Sequence, residues 1–351
     1  MFMMNNKILI GWDIGGANTK ICVFDSNYNI IDTYSENLKI WENFSNLRSL
    51  FTKVYNKYET YEVSNFITIT AESCDNFLER NDGILKIIEL CKNHMLGKNF
   101  YFSNDGNYID YSAALLKPNK LFSTNWMLSL NFLNLSRDID VLIDIGSTTT
   151  DIIYKNMSVK DNVNDYQRLC NNTLVYVGVV RTPLSMLIDS VNYRNNLSPL
   201  INEVYATTGD IFNITKDIDF TNLHYRGADG KSFTRENSLI RLGRNIGFDY
   251  NPNDEKYLVE ISKKIKREII KKIFSCLTNR LDIKLNNSII SSVGEGNFLV
   301  KELCEQNNII YKPIETIKND LLKKNIYQDV YKNFPSALVV LNSINKEYEK
   351  I

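Results

Sequence analysis

At 351 residues, 44% of them hydrophobic and 23% charged, the chain has the length of two ordinary domains and a globular composition. Its 41 basic and 41 acidic residues cancel, which removes the electrostatic reason to expect nonspecific binding to nucleic acid or to a membrane surface. The two histidines, His94 and His224, stand far apart, so neither histidine-based zinc chemistry nor a Ser-His nucleophile is expected.

Three short strands open the chain, at 7–13, 19–25 and 30–34. They are joined by the turn-forming runs Gly15-Gly16-Ala17-Asn18 and Ser26-Asn27-Tyr28-Asn29. A helix over 41–58, a buried strand at 66–70, a helix over 83–93, a strand at 100–103 and a helix over 120–133 complete a first unit. The pattern then restarts. An apolar strand at 141–144 ends in Asp-Ile-Gly, and hydroxyl residues and a strand at 151–154 follow, a degenerate repeat of the opening hairpin. The repeat sets the expected domain boundary near 134–140, giving domains 1–135 and 136–351, the second with an insertion over 161–250.

A long helix over 257–281 aligns Leu258, Ile261, Ile265, Ile269, Ile273 and Leu277 on one face. Lys263, Lys264, Lys266, Arg267, Lys271 and Lys272 lie opposite and read as a solvated surface. A strand at 288–293, a Gly294-Glu295-Gly296 turn, a helix over 297–306, a strand at 309–313 and a helix over 335–348 close the chain. Strand hairpins followed by strand–helix units, given twice, predict two related α/β domains facing a cleft.

The opening residues 1–7 lead directly into an apolar run, without the pattern of a secretory signal. No stretch approaches the ~18 uninterrupted apolar residues of a membrane span. The six cysteines are scattered, with no CxxC spacing, as expected of reduced thiols in a cytoplasm.

Two turns carry the chemistry. In Asp13-Ile14-Gly15-Gly16-Ala17-Asn18-Thr19-Lys20 the glycines allow a sharp bend that brings backbone N–H groups near phosphate oxygens. Asn18, Thr19 and Lys20 add donors and a positive charge, and Asp13 is placed to hold Mg2+ or orient a water. The second turn, Asp144-Ile145-Gly146-Ser147-Thr148-Thr149-Thr150-Asp151, offers hydroxyl donors from Ser147, Thr148, Thr149 and Thr150 beside the carboxylate of Asp144, and Asp151 adds a further carboxylate. Either alone reads as an ordinary hairpin; the pair predicts phosphate binding. A third turn, at Gly294 and Gly296, joins a strand to a helix N-terminus, where anions are favoured; alone it also reads as a tightened strand–helix junction, but its position after the two hairpins resembles that of the adenosine-side loop in actin-like ATPases. No GxxxxGK[ST] loop is present, which excludes P-loop chemistry.

The insertion holds Arg181-Thr182-Pro183, Thr207-Thr208-Gly209-Asp210 and Arg226-Gly227-Ala228-Asp229-Gly230, followed by Arg235, Arg241 and Arg244. Arginines suit bidentate capture of phosphate or carboxylate, and each also reads as a surface ion pair. Thr70-Ala71-Glu72 and Asp75 follow a buried strand, a frequent place for α/β sites. Asn104-Asp105-Gly106 reads as a turn, and Asn125-Trp126 as a helix packing point.

Gly11-Trp12-Asp13-Ile14-Gly15-Gly16-Ala17-Asn18-Thr19-Lys20 resembles the opening of the tetrahydromethanopterin-linked one-carbon transfer pathway family. That group is related to the hydantoinase/oxoprolinase proteins of the actin-like ATPase superfamily. The resemblance continues through 144–151, 175–183, 205–210, 228–230 and 294–299, nearly the whole chain. Departures are Ser73 and Gly209, where the family has Leu and Ala. The resemblance implies two actin-like, ribonuclease H-like domains. It also implies a condensation in methanofuran-type cofactor biosynthesis, in which an aminomethyl-furan methyl diphosphate is joined to the phenol oxygen of a γ-glutamyl-tyramine. Under it, Asp13 and Asp144 are the expected Mg2+ ligands, Glu72 or Asp210 the base, and Arg181 and Arg226 the holders of diphosphate or the glutamyl carboxylate. The expected partners are therefore a small-molecule diphosphate and a phenol or amine; ATP and self-association are left open. Two other readings stand beside it: an ATP-dependent small-molecule kinase or hydantoin/oxoproline-type hydrolase, and a non-catalytic nucleotide-binding regulator.

Overall fold

The computed structural model describes residues 7–221, 223, 225–279, 287–319, 330–331 and 333–345. His224 and the expected helix ends at 281 and 348 lie outside them.

In chain order the elements begin with β1 (Lys7–Gly15), β2 (Asn18–Asp25), β3 (Ile30–Asn37), α1 (Asn46–Tyr55) and β4 (Glu62–Thr70). Next come α2 (Arg80–His94), β5 (Lys98–Phe102), β6 (Tyr108–Ile109), α3 (Tyr111–Leu116) and α4 (Asn125–Leu135). The repeat supplies β7 (Val141–Ile145) and β8 (Thr150–Tyr154), followed by α5 (Asp165–Cys170) and β9 (Leu174–Val175). The insertion adds β10 (Ser190–Tyr193), β11 (Asn196–Pro199), α6 (Thr208–Thr215) and α7 (Arg235–Ile246). Then α8 (Glu255–Thr278), β12 (Ile289–Gly294), α9 (Asn297–Gln306), β13 (Ile310–Tyr311) and α10 (Phe334–Leu341) end the described chain.

These elements divide into two compact units. The first comprises 1–142, 153–168 and 313–351; the second comprises 143–152 and 169–312. Both are α/β, as the hairpin and strand–helix pattern predicts. The first holds a six-stranded sheet in the order β3-β2-β1-β4-β5-β6. β2 is antiparallel to β1, and β4 runs parallel to it from Lys7 opposite Glu62 to Gly15 opposite Thr70. Alternation along β1 explains its two-sided burial. Ile8, Ile10, Trp12 and Ile14 join a core with α1 and α2, and Trp12 donates to Asn65 Oδ1 at 3.0 Å. On the opposite face Gly11 accommodates α10 at van der Waals range, since a Cβ there would stand 1.8 Å from the Ser336 carbonyl.

The second unit centres on a sheet in the order β13-β12-β7-β8-β9. Its long helix α8 buries the apolar stripe read from the sequence, Leu258 through Leu277. The basic face is a partial correction. Lys266 is not solvated: its side chain is 15% exposed and bridges Asp217 and Glu302, both at 2.7 Å, over the Phe298 ring. The helix expected over 41–58 is also shorter, beginning at Asn46, because Asn43 folds 43–45 into a turn by accepting from Ser45. Among the described residues no helix is long and apolar enough to cross a membrane, and no cysteine is in a disulfide.

Candidate functional site

In the first unit, β1 delivers Asp13 to the sheet end, directly across from Lys20, with Ile14 opposite Thr19. The turn between them is pinned from inside the unit: Ile40 donates to the Gly16 carbonyl at 2.9 Å and Leu38 to the Ala17 carbonyl at 3.0 Å. The Gly16 and Ala17 carbonyls are thereby engaged within the unit. Asp13 and Thr19 are buried, and Lys20 is half-buried.

The segment after β4 lies against this turn. A Cβ on Gly15 would be 3.3 Å from Thr70 Oγ1, and one on Gly16 would be 2.6 Å from Cys74 Sγ. Two residues past Thr70, Glu72 is 1% exposed. Its Oε1 accepts from Arg80 Nη2 at 2.6 Å and from Ser123 Oγ at 2.8 Å. Its Oε2 has no hydrogen-bond partner among the described residues. Burial pushes the Glu72 carboxyl above its ordinary value, against the opposing pull of Arg80 and Ser123. Ser123 holds a left-handed backbone, φ 45°, which costs a non-glycine residue energy. Asp75, by contrast, is exposed.

In the second unit the Asp144 turn is closed by Gly146, whose N–H donates to the Thr149 carbonyl at 2.9 Å. Ser147, Thr148 and Thr149 are half-buried around it. The run 177–182 wraps this turn, with Val179 donating to the Gly146 carbonyl and Val180 and Arg181 to that of Ser147, each at 3.0 Å. Contact is so close that a Cβ on Gly178 would lie 2.3 Å from the Thr148 nitrogen. Gly178 is held in turn by Thr182 Oγ1, which its N–H reaches at 3.0 Å, and by the Thr208 hydroxyl, which donates to its carbonyl at 2.7 Å. From the other side, Gly294 takes φ 85°, a conformation natural to glycine, and passes within 2.6 Å (measured to a hypothetical Cβ) of Asp144 Oδ1. Gly296 N–H donates to the Ile145 carbonyl at 3.1 Å.

The second unit therefore brings Asp144, Gly146, Ser147, Thr148, Thr149, Gly294 and Gly296 together with the backbone of Arg181. It does not aim Asp210 at them. Asp210 is fully buried and accepts from Arg241 Nε at 2.9 Å and Nη2 at 2.6 Å, while its Oδ2 takes the Thr207 N–H at 3.0 Å. The Thr207-x-x-Asp210 spacing marks a helix start, a signal the sequence carried. The arginines divide as well. Arg235 pairs with Glu255 and Arg241 is internal, while Arg181, Arg226 and Arg244 are exposed. Arg244 lines an open depression of about 430 Å³ with Tyr205, Gly247, Phe248 and Asp249. Sequence reasoning missed Arg80 and Ser123, the partners of Glu72, and Gly178, which an apolar run conceals.

Among the described residues no group of three or more His, Cys, Asp or Glu side chains could hold a metal by itself. Mg2+ does not need one, because it uses one or two carboxylates and fills its remaining positions with water and phosphate oxygens. Asp144, half-buried at a strand end beside hydroxyls and turn amides, fits that donor set, and Asp13 offers the same in the first unit.

The family model described as hydantoinase/oxoprolinase matches residues 65–318. A Methanocaldococcus jannaschii protein, the (4-{4-[2-(gamma-L-glutamylamino)ethyl]phenoxymethyl}furan-2-yl)methanamine synthase, is 31% identical over 309 residues, 86% of this chain and 90% of that protein. A Methanococcus vannielii protein of the same name is 34% identical over 167 residues, 46% of this chain and 74% of its own. Among solved structures, a ligand-bound xylulose kinase from Lactobacillus acidophilus is similar at 10% identity and a TM-score of 0.42, over 98% of this chain and 91% of that one. The chain belongs to the hydantoinase/oxoprolinase family.

Proposed function

We propose that this chain is a synthase of the transferase type, which joins a furanylmethylamine diphosphate ester to the phenol oxygen of a glutamyl-tyramine-type acceptor. The observation that carries the reading is the near full-length likeness to the M. jannaschii synthase, whose name describes such an ether. In the reaction the phenol oxygen attacks the methylene carbon, the carbon–oxygen bond to diphosphate breaks, and the phenol proton passes to a base. Diphosphate leaves with the bonding electron pair.

The departing charge is the difficulty, and fixed N–H donors and hydroxyls aimed at it are the favoured solution. The Asp13 and Asp144 turns are that kind of donor set, each within its own unit. Mg2+, held by Asp13 or Asp144, would supply further charge neutralisation when bound. Of the two carboxylates considered for the base, Glu72 fits better. One of its oxygens is unpartnered and burial raises its affinity for a proton, whereas Asp210 has both oxygens committed. Arg181 and Arg226 are exposed cations suited to diphosphate or the glutamyl carboxylate.

The test combines the purified chain with the furan diphosphate and tyramine-type phenols, and identifies the ether by mass spectrometry. Ether formation that stops on chelation and returns with Mg2+ supports both the reaction and the metal. ATP hydrolysis stimulated by a small amide, without ether, would instead establish the kinase or ring-hydrolase reading that the family name favours. A stable nucleotide complex without turnover would establish a regulator.

A further inference from the structure

The least expected feature of the second unit is a fully buried cation. Arg241 is 1% exposed on α7 and is bound on two sides. Its Nε and Nη2 hold Asp210, which starts α6, and its Nη1 holds Asp229 Oδ1 at 2.9 Å. An arginine is costly to bury unless its donors are paired, and the pairing here ties two elements together. Here one is α6, whose Thr208 and Gly209 hydrogen-bond the run that wraps the Asp144 turn. The other is the loop over 225–233.

That loop is a tight hairpin. Arg226 bridges Ser232, Gly227 N–H reaches the Lys231 carbonyl at 2.8 Å, and Gly230 takes φ 76°. Three ties bind it to the rest of the unit. Tyr225 donates to Glu295 Oε1 at 2.7 Å, inside the Gly294–Gly296 turn that abuts Asp144. Asp229 takes Arg241, and Phe233 packs on Gly209 and under the Arg241 guanidinium, 5.1 Å from its centroid. Gly227 lies so close that a Cβ would meet the Arg241 Cζ at 2.4 Å. Arg226 itself stays exposed on the hairpin.

We propose that Arg241 is a positioning residue, which locks the 225–233 hairpin to the start of α6 so that Arg226 is presented as a fixed donor to the diphosphate. The inference rests on the diphosphate reading above. Arg241 acts through Arg226 and touches no substrate.

Removing Arg241 would strand the buried Asp210, so the informative variants lie on the loop side. Binding of inorganic diphosphate with Mg2+ is measured by calorimetry on the full chain and on Asp229→Asn, Arg226→Ala and the double variant. Hydrogen exchange over 225–233 is followed in parallel. Asp229→Asn should speed exchange there and weaken diphosphate about tenfold, the order of one lost charge-assisted hydrogen bond. Arg226→Ala should weaken it similarly without changing the exchange, and the double variant should bind no worse than Arg226→Ala. With ester substrate, Asp229→Asn should raise KM and spare kcat. Unchanged exchange in Asp229→Asn, or additive losses in the double variant, would overturn the proposal. Failure of the unaltered chain to bind diphosphate would instead sink the diphosphate reading, and the exchange result alone would then decide whether Arg241 holds the hairpin.

Discussion

At the scale of single residues, two buried carboxylates differ because their surroundings differ. Glu72 keeps an unpartnered oxygen and a carboxyl raised by burial, so its proton is held above the ordinary 4.5 in the folded chain. The unfolded chain therefore loses that proton first, and the stability tied to the neutral form is lost as pH rises above the unfolded value. Glu72→Gln should remove this decline, so that its stability relative to the native chain improves as pH rises past 4.5, as read by denaturant titration across pH. If Glu72 is the base, the same substitution should lower kcat about a hundredfold or more and abolish the acidic limb of its pH profile. An intact acidic limb would reassign the base. Asp210 belongs to a different class: Arg241→Met should cost about 3–5 kcal/mol by leaving it buried and unpaired, measured by denaturant unfolding.

At the scale of elements, the glycines decide what can approach what. A methyl on Gly178 would drive into the Thr148 backbone at 2.3 Å, and one on Gly294 would meet both the Ile145 carbonyl and Asp144 Oδ1. Gly178→Ala should distort the Ser147–Thr149 hydroxyl turn, and a loss of diphosphate affinity larger than the loss of stability would show it. Such contacts explain what the sequence could and could not reveal. The hairpins at both Asp-Ile-Gly turns, β12 with its glycine turn, α9 and the apolar stripe of α8 were legible because each is set by local pattern. The insertion was not. Apart from α7, its elements are short, α6 over Thr208–Thr215 and the β10–β11 pair among them, and their apolar residues follow no sustained period. Arg241 was one arginine among several, since its burial depends on Asp210 and Asp229, brought to it by folding. Lys266 misled for the same reason, its two carboxylate partners lying on other segments.

At the scale of the whole molecule, the first unit is assembled from both ends of the chain. α10, buried from Phe334 to Leu341, packs on β1, with Gly11 against its backbone and Tyr108 donating its hydroxyl to the Val339 carbonyl at 2.5 Å. Removal of residues from 330 onward should therefore strip hydrogen-exchange protection from β1, β2 and β4. Protection in β12 and α9, which are built from second-unit residues, should survive. Equal loss in both would show that the units do not fold separately. Stoichiometry decides whether the Asp-Ile-Gly turns serve a diphosphate ester or ATP. Diphosphate released per ether bond formed is to be measured with Mg2+ present and ATP absent. One diphosphate is expected for each ether. Ether formation that needs ATP and yields ADP and orthophosphate would contradict it.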